Sequence, residues 1–271
     1  MSTIEVIQLF TYFIKGLTPH RCDRVSLQAD HGIPGDRGFA LMYADAIAEA
    51  SPDLADAVPW MRKNNFAMQN DWPGLASLAC EYDPSTRQLT VKQAGVELLA
   101  ETPDTAEGRD RISAFFTGYL AALQPTATAR HPEKAPLRLV GDGNSTRYPD
   151  RNPVHISLIN QASLEDLSQK LGHVIDPRRF RPNILLKGIP AWEELSWVGK
   201  TFQMGTAEIA IAAPINRCLN IDVNPDTGVQ DCSIFAALQP ILGHRQTGIL
   251  ATVTQSGTVT IGDRLIEVAS L

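Results

Sequence analysis

Runs of β-branched and aromatic residues, and stretches in which apolar and polar positions alternate, predict many short β-strands in this chain. Glycine, proline, asparagine and aspartate separate these runs, as they do between the strands of β-rich proteins. The predicted strands cover residues 6–14, 24–28, 38–43, 75–82, 87–93, 154–159, 180–186, 208–213, 219–223, 248–254 and 258–261. Two of them, 248–254 and 258–261, flank a Ser-Gly pair that predicts a hairpin turn.

Three segments have the helical period instead. Within residues 104–123, apolar side chains recur at i, i+3, i+4, i+7, i+8 and i+11, which is one face of an amphipathic helix. Leucines in 164–171 predict a short helix, with capping-box spacing that starts at Ser163 and with Gly172 just after its end. Residues 233–242 predict a further helix.

Few helices among many short strands indicate a mainly β fold of the α+β class, built on a barrel or a sandwich. Residues 44–73 have no clear period and predict mostly loop. Five prolines are spread over residues 124–153, which makes this stretch the best domain boundary. We therefore expect an N-terminal β-rich domain, 1–125, and a second domain, 126–271.

Composition and charge narrow the functional classes. The 271 residues include 24 Lys and Arg against 30 Asp and Glu, a net charge of −6, which argues against a partner that is nucleic acid or a membrane surface. We expect no membrane span and no signal peptide, since no long apolar run is present. The four cysteines form no Cys-x-x-Cys pair, so they predict free thiols and a cytoplasmic location.

Two local clusters could carry chemistry. Cys218 follows Arg217 between two predicted strands, and a thiol beside a guanidinium ionises more easily to the reactive thiolate. Taken alone, a buried and inert cysteine is the commoner explanation. Three arginines in 178–181 suit an anion site, although a solvated surface run has the same pattern. Lys15 and Arg37 lie at strand–loop junctions, where each taken singly is more often just solvated.

The order of several short motifs resembles the MOSC family, named after the C-terminal domain of molybdenum cofactor sulfurase. Residues 214–218 read Pro-Ile-Asn-Arg-Cys, and 223–228 read Val-Asn-Pro-Asp-Thr-Gly, similar to that family's signature. Residues 179–184 read Arg-Phe-Arg-Pro-Asn-Ile, and 192–200 read Trp-Glu-Glu-Leu-Ser-Trp-Val-Gly-Lys, both resembling further family segments. Gly-Asp at 262–263 is similar to the family's closing hairpin.

The N-terminal part resembles the β-barrel domain that often precedes MOSC. Residues 12–16 read Tyr-Phe-Ile-Lys-Gly and 32–37 read Gly-Ile-Pro-Gly-Asp-Arg, each similar to a motif of that domain. The resemblance covers nearly the whole chain, least clearly residues 44–135, and the chain looks similar to bacterial relatives of the mitochondrial amidoxime-reducing component. The resemblance implies a MOSC β-barrel domain with flanking helices, together with a smaller N-terminal β-rich domain.

The resemblance also implies a site. Cys218 is expected to ligate the molybdenum of a pterin cofactor and to be the catalytic residue, because a soft thiolate suits a metal already held by a dithiolene. Basic and polar residues are expected to hold the pterin phosphate. The expected cofactor-binding residues are Lys15, Arg37, Asn160, Ser163, Arg179, Arg181, Asn183 and Arg217. Cys232 lies outside the family signature and is expected to be structural.

The implied activity is that of a molybdenum-dependent oxidoreductase that reduces N-hydroxylated or N-oxide small molecules by oxygen-atom transfer. No ferredoxin-type cysteine cluster follows the MOSC region, so electrons are expected from a separate ferredoxin- or flavoprotein-like donor. Two alternatives remain open at this point. One is a sulfur carrier that holds a persulfide on Cys218, and the other is a protein that stores or delivers the cofactor.

Overall fold

A computed structural model describes residues 3–47, 60–130 and 136–268 of the chain. Within these ranges the chain forms short strands, four α-helices and several 3-10 turns, which confirms the mainly β, α+β class. The strands are β1 Glu5–Thr11, β2 His20–Cys22, β3 Arg24–Leu27, β4 Phe39–Tyr43, β5 Leu78–Asp83, β6 Gln88–Gln93, β7 Val96–Glu101, β8 Leu137–Gly141, β9 Ile156–Asn160, β10 Ile184–Lys187, β11 Thr201–Met204, β12 Ala207–Asn216, β13 Gln246–Gln255, β14 Gly257–Thr260 and β15 Leu265–Val268. The helices are α1 Ala44–Ile47, α2 Ala106–Ala122, α3 Gln161–Leu171 and α4 Ile234–Leu242. No helix in these ranges has the length and apolar character needed to cross a bilayer.

The largest sheet has eight strands in the order β15-β11-β12-β13-β9-β10-β1-β2. Strands β9 and β10 run parallel, and the other neighbours are antiparallel. Strand β1 thus lies inside a sheet of C-terminal strands, where Leu9 faces Ile184. Strand β3 pairs with β14 in the same way, so the first residues of the chain are part of the C-terminal sheet system. The division at residue 125 stays a prediction.

The middle of the chain builds a second hydrophobic core. Strands β5, β6 and β7 form a meander, and β4 pairs with β8. Helix α2 begins after Thr105, whose hydroxyl accepts a hydrogen bond from the Gly108 N–H. The helix buries Ile112, Phe116 and Leu120, the positions that the i, i+4 spacing predicts.

The structure corrects one predicted strand and one predicted hairpin turn. Residues 219–223 are not a strand: Leu219–Asp222 forms a 3-10 turn, because the Asp222 carboxylate accepts the Phe235 N–H at the start of α4 and holds the segment there. The Ser-Gly pair at 256–257 does not close a hairpin, since β14 leaves β13 and pairs with β3.

Helix α3 forms where the leucines predict it, but its first turn is capped differently. The Asn160 side chain accepts the Ala162 N–H at 3.1 Å, so Asn160 is the N-cap and the predicted capping box at Ser163 is wrong. Gly172 ends the helix in the left-handed conformation, as expected. Ser163 is therefore free to point to a neighbouring segment rather than to its own helix.

Candidate functional site

A cavity of about 730 Å³ opens where the loop after β1, the loops before β9 and β10 and the loop after β12 meet. The N-terminal part of the chain contributes Lys15, Arg37 and several residues of 60–70 to its wall. The C-terminal part contributes residues of 149–157, 179–183 and 215–221, together with Leu250. Its size is typical of a site for a small molecule.

Cys218 lies on the wall of this cavity, two residues beyond the end of β12. Its backbone is extended, and its side chain is exposed. The other three cysteines are also free thiols, as the sequence predicts. Of the described cysteines, Cys218 alone lines the cavity, so its thiol is the one that a molecule in the cavity could reach.

Arg217 fixes the loop that carries Cys218. Its guanidinium donates to the Thr247 hydroxyl at 2.6 Å and to the Phe180 carbonyl at 2.8 Å, and it stacks on the Phe180 ring at 5.2 Å. Burial lowers the pKa of Arg217 to about 10, against the effect of the nearby Cys218. Glycine is required at position 248, because a Cβ there would lie 2.5 Å from the Leu158 carbonyl oxygen and 3.0 Å from the Arg217 guanidinium. Arg217 thus acts mainly by positioning its neighbour.

Two arginines converge on one aromatic ring. The guanidinium carbons of Arg37 and Arg181 lie 4.5 and 4.4 Å from the centre of the Tyr12 ring. Both arginines have a positive φ of 54°, a conformation that costs energy for a residue with a Cβ. The Tyr12 hydroxyl donates to the Pro182 carbonyl at 3.0 Å, which fixes the ring between the two loops. Tyr12 therefore joins the N-terminal and C-terminal walls of the cavity.

Arg37 is held in place by the fully buried carboxylate of Asp36. This carboxylate also pairs with Arg147 at 2.7 Å and accepts the Tyr12 N–H at 2.8 Å. Burial opposes ionisation of the carboxyl, but Arg37 and Arg147 outweigh that cost and hold the pKa of Asp36 below its usual range. The Gly-x-x-Gly-Asp-Arg motif thus supplies both a cavity arginine and its anchor.

Arg181 has no carboxylate partner among the described residues, and its guanidinium donates to the Leu17 carbonyl. Burial, together with the nearby Arg37, lowers the pKa of Arg181 to about 10. An anion in the cavity would relieve this unfavourable burial of positive charge, because opposite charges favour each other's ionised form.

Lys15 is buried and makes two contacts with its ammonium. The ammonium pairs with the Asp150 carboxylate and donates to the Tyr148 carbonyl at 2.9 Å. Burial lowers the pKa of Lys15, although Asp150 opposes this shift. An ammonium has three N–H donors, so one remains for a ligand beyond these two contacts.

Arg179 and Asn183 also line the cavity, but their polar side-chain atoms pair with other groups of the chain. Arg179 pairs with Asp231 at 2.7 Å and donates to the Asp222 carbonyl. The buried Asn183 amide joins Ser157 to the β1 backbone by hydrogen bonds at 3.1 and 3.2 Å. These two side chains shape the cavity wall and leave little capacity for a ligand.

Asn160 and Ser163 are not among the residues that line the cavity. Their side chains donate to the buried carboxylate of Glu194, Ser163 at 2.8 Å and Asn160 at 3.3 Å. Burial raises the pKa of Glu194, and these donors oppose the rise. The structure thus ties both residues to the 3-10 turn Glu193–Trp197, rather than to the site to which the resemblance assigns them.

Ser163→Ala tests this structural placement. Loss of a hydrogen bond to a buried carboxylate costs about 1.5–3 kcal/mol, so we expect the free energy of unfolding to fall by about that amount in urea titrations. The exposed Ser196, on the turn that carries Glu194, supplies the matched control: Ser196→Ala is expected to unfold as the wild type does. A Ser163→Ala protein of unchanged stability that lost a bound ligand would assign the hydroxyl to the site instead.

Several cavity residues were not predicted from the sequence. Trp60, Lys63 and Asp150 lie on the wall, as does His155. Residues 60–70 have no period that marks them, and they lie in a stretch predicted only as loop. Asp150 contacts Lys15 although 135 residues separate the two in sequence. No local sequence pattern reveals such a contact.

The cavity residues fit the molybdenum–pterin cofactor that the resemblance implies. An exposed thiol suits the metal, and Arg37, Arg181 and the remaining N–H of Lys15 suit a phosphate. Among the described residues, two further wall atoms are buried without a hydrogen-bond partner, Asn70 Oδ1 and His155 Nδ1. Buried polar atoms are normally paired, so these atoms fit a ligand with several polar groups on its ring system.

Residues 146–266 match the family model of the MOSC domain. The chain is 39% identical over 134 residues to mitochondrial amidoxime reducing component 2 of Rattus norvegicus, a match covering 45% of this chain and 37% of that protein. It is 26% identical over 224 residues to mitochondrial amidoxime-reducing component 1 of Homo sapiens, covering 70% and 64%. The matches thus span less than two thirds of these relatives.

Solved structures that align with this chain include the YUAD protein of Bacillus subtilis, at a TM-score of 0.47 and 15% identity over 99% of this chain and 97% of that one. YiiM of Escherichia coli aligns at a TM-score of 0.33 and 20% identity, over 43% of this chain and 55% of that one.

Proposed function

Because residues 146–266 match the MOSC domain, we propose that this protein binds a molybdenum–pterin cofactor and reduces N-hydroxylated or N-oxide compounds. The amidoxime-reducing components that it resembles give the class of reaction. Their identity to this chain is limited and partial, so the proposal depends on what the cavity itself can do.

The observation that carries the proposal is the meeting of Cys218 with a cluster of basic residues in one cavity. Lys15 and Arg37 come from the start of the chain, and Arg181 and Cys218 come from its second half, yet all four line the same space. A surface run of arginines would not converge on a thiol from such distant positions. The arrangement supports a ligand that carries a thiophilic metal at one end and a phosphate at the other.

In this proposal the residues of the chain bind and orient the cofactor, and the molybdenum supplies oxygen-atom transfer when the cofactor is bound. Cys218 would ligate the metal through its thiolate. Arg181 and Arg37 would hold the phosphate, each already fixed against Tyr12. Arg217 would keep the Cys218 loop at a constant position through its contacts to Thr247.

The overall reaction balances with a separate electron donor. The N–O bond of an N-hydroxylated substrate breaks, two electrons come from a donor protein of the ferredoxin or flavoprotein class, and two protons come from solvent. The products are the reduced nitrogen compound and water. A donor protein and a small-molecule substrate are therefore the partners that we propose, with the cytoplasm as the location.

Two measurements on the purified full chain test the proposal. We expect molybdenum close to one atom per chain, and turnover of benzamidoxime to benzamidine with a chemical reductant as donor. Molybdenum without turnover would favour storage or delivery of the cofactor. A persulfide on Cys218 in protein that binds no molybdenum, even when expressed with ample cofactor, would favour the sulfur carrier. Either result would contradict the proposed reductase.

A further inference from the structure

The cavity wall carries much more positive than negative charge, although the whole chain has a net charge of −6. Its described lining has one carboxylate, Asp150, and the following lysines and arginines: Lys15, Arg37, Arg62, Lys63, Arg130, Arg151, Arg179, Arg181 and Arg217. A cleft lined by one sign of charge raises the local concentration of ligands of the opposite sign. The cavity thus favours anionic ligands, although the chain as a whole carries a net negative charge.

Four of these cations are neutralised by carboxylates. Arg37 pairs with Asp36, Lys15 with Asp150, Arg130 with Asp71 and Arg179 with Asp231. The five others have no carboxylate partner in the described part of the chain: Arg62, Lys63, Arg151, Arg181 and Arg217. A phosphate monoester carries about two negative charges at neutral pH. One phosphate therefore cannot neutralise all five of these positive charges.

The unpaired cations fall into two groups. Arg181 and Arg217 are half-buried, and each donates to a backbone carbonyl. Arg62, Lys63 and Arg151 are exposed, and we call these three the rim cations. Lys63 is close enough to Asp150 to lower the pKa of that carboxyl, and Arg151 directly follows Asp150 in the chain. The rim cations thus line the same cavity as Cys218, and they are more exposed than Arg181 and Arg217.

We propose that the rim cations bind an anionic group on the substrate, so that the protein prefers N-hydroxylated compounds that carry a carboxylate or a phosphate. This inference rests on the proposed function, because it names the substrate class of the same site. The N–O group would face Cys218 in the interior, while the anionic group would lie at the rim. Exposed cations alone on a flat surface would not discriminate, but here they border the space that the substrate must enter.

Three matched substrates test the preference on the molybdenum-loaded full chain with a chemical reductant. They are benzamidoxime, its 4-carboxylate and its 4-(trimethylammonio)methyl derivative. We expect kcat/KM to be about tenfold higher for the carboxylate than for the neutral compound, and lowest for the cation, since a tenfold ratio requires only a small contribution from each exposed cation. The preference is expected to shrink as ionic strength rises.

Lys63→Glu should remove the preference by raising KM for the carboxylate more than for the neutral compound. Lys92→Glu is the matched control, since Lys92 lies on β6 outside the cavity lining. Equal kcat/KM for the three substrates, or equal effects of the two variants, would overturn the inference. An effect of Lys63→Glu seen only with a protein electron donor would also overturn it and assign the rim to that partner.

A second readout separates this inference from the proposed function. If molybdenum-loaded protein reduces none of the three compounds, the proposed reductase fails, and calorimetric binding of the same compounds still decides the charge preference. Tighter binding of the carboxylate that Lys63→Glu abolishes would support the rim as an anion site. Equal binding of the neutral and carboxylated compounds would overturn it.

Discussion

Replacing Cys218 with serine is expected to reduce turnover of N-hydroxylated substrates to the background of the chemical reductant alone. The physical reason is the change of ligand: serine keeps the size of cysteine but offers a hard oxygen that is largely protonated at neutral pH. The side chain is exposed in the cavity and packs in no core, so the fold should not change. Steady-state assays of benzamidoxime reduction, with circular dichroism as the check of folding, measure this.

Cys232→Ser supplies the control for that experiment. Cys232 is only partly exposed and lies outside the cavity lining, with its sulfur 3.3 Å from an Asp231 carboxylate oxygen. Burial, together with Asp231, raises the pKa of Cys232 to about 11, which keeps it a neutral thiol. We expect this variant to keep its activity. Equal losses in the two variants would show that Cys218 has no special role.

Arg181→Ala is expected to lower the molybdenum content of purified protein by about ten- to a hundredfold at limiting cofactor. A charge-assisted hydrogen bond to phosphate contributes about 1.5–3 kcal/mol, and each 1.4 kcal/mol corresponds to about tenfold in affinity. Because Arg181 already bears the cost of burial and has no carboxylate partner in the described part of the chain, its interaction with an anion should be near the upper end of this range. Metal analysis of proteins purified side by side measures the ratio of molybdenum to chain.

Two further variants sharpen this result. Arg181→Lys should recover only part of the binding, because an ammonium lacks the two-pronged geometry of a guanidinium. Arg178→Ala is the matched control, since Arg178 belongs to the same arginine run but pairs with Asp176 and Asp226 outside the cavity lining. Equal molybdenum ratios in the wild type and all three variants would return the arginine run to the surface interpretation.

The sequence predicted local structure well, because periodicity reports which face of an element is buried. Helix α2 and the hairpin of β5 and β6 lie close to their predicted positions. The pairing of β1 with β10 and of β3 with β14 could not be predicted, since partners so distant in sequence leave no local pattern. For the same reason the prediction treated the Ser-Gly pair before β14 as a hairpin turn.

The three arginines of the 178–181 run show the same limit at the level of the site. Arg178 pairs with Asp226, Arg179 pairs with Asp231, and Arg181 alone remains for a ligand. The composition of the run indicates an anion site, but which arginine serves it depends on where distant aspartates lie. The order of the motifs was a better guide. Through the resemblance it assigned Lys15, Arg37 and Cys218 to one site, and all three line the same cavity.

Asn160 and Ser163 are the opposite case. Their position at the start of a helix suggested phosphate binding through the free N–H groups there. Instead, the carboxylate of Glu194, about thirty residues further along the chain, occupies their donors. A helix N-terminus attracts any nearby anion, and here the anion is part of the protein.

The central claim is that Cys218 ligates molybdenum in this cavity, and the sulfur coordination of the bound metal tests it most directly. Molybdenum X-ray absorption on the wild type and on Cys218→Ser would count the sulfur neighbours of the metal in each. We expect two sulfurs from the pterin dithiolene in both proteins and one additional sulfur in the wild type alone. Identical sulfur shells in molybdenum-loaded samples of the two proteins would contradict the assignment of Cys218 as the metal ligand.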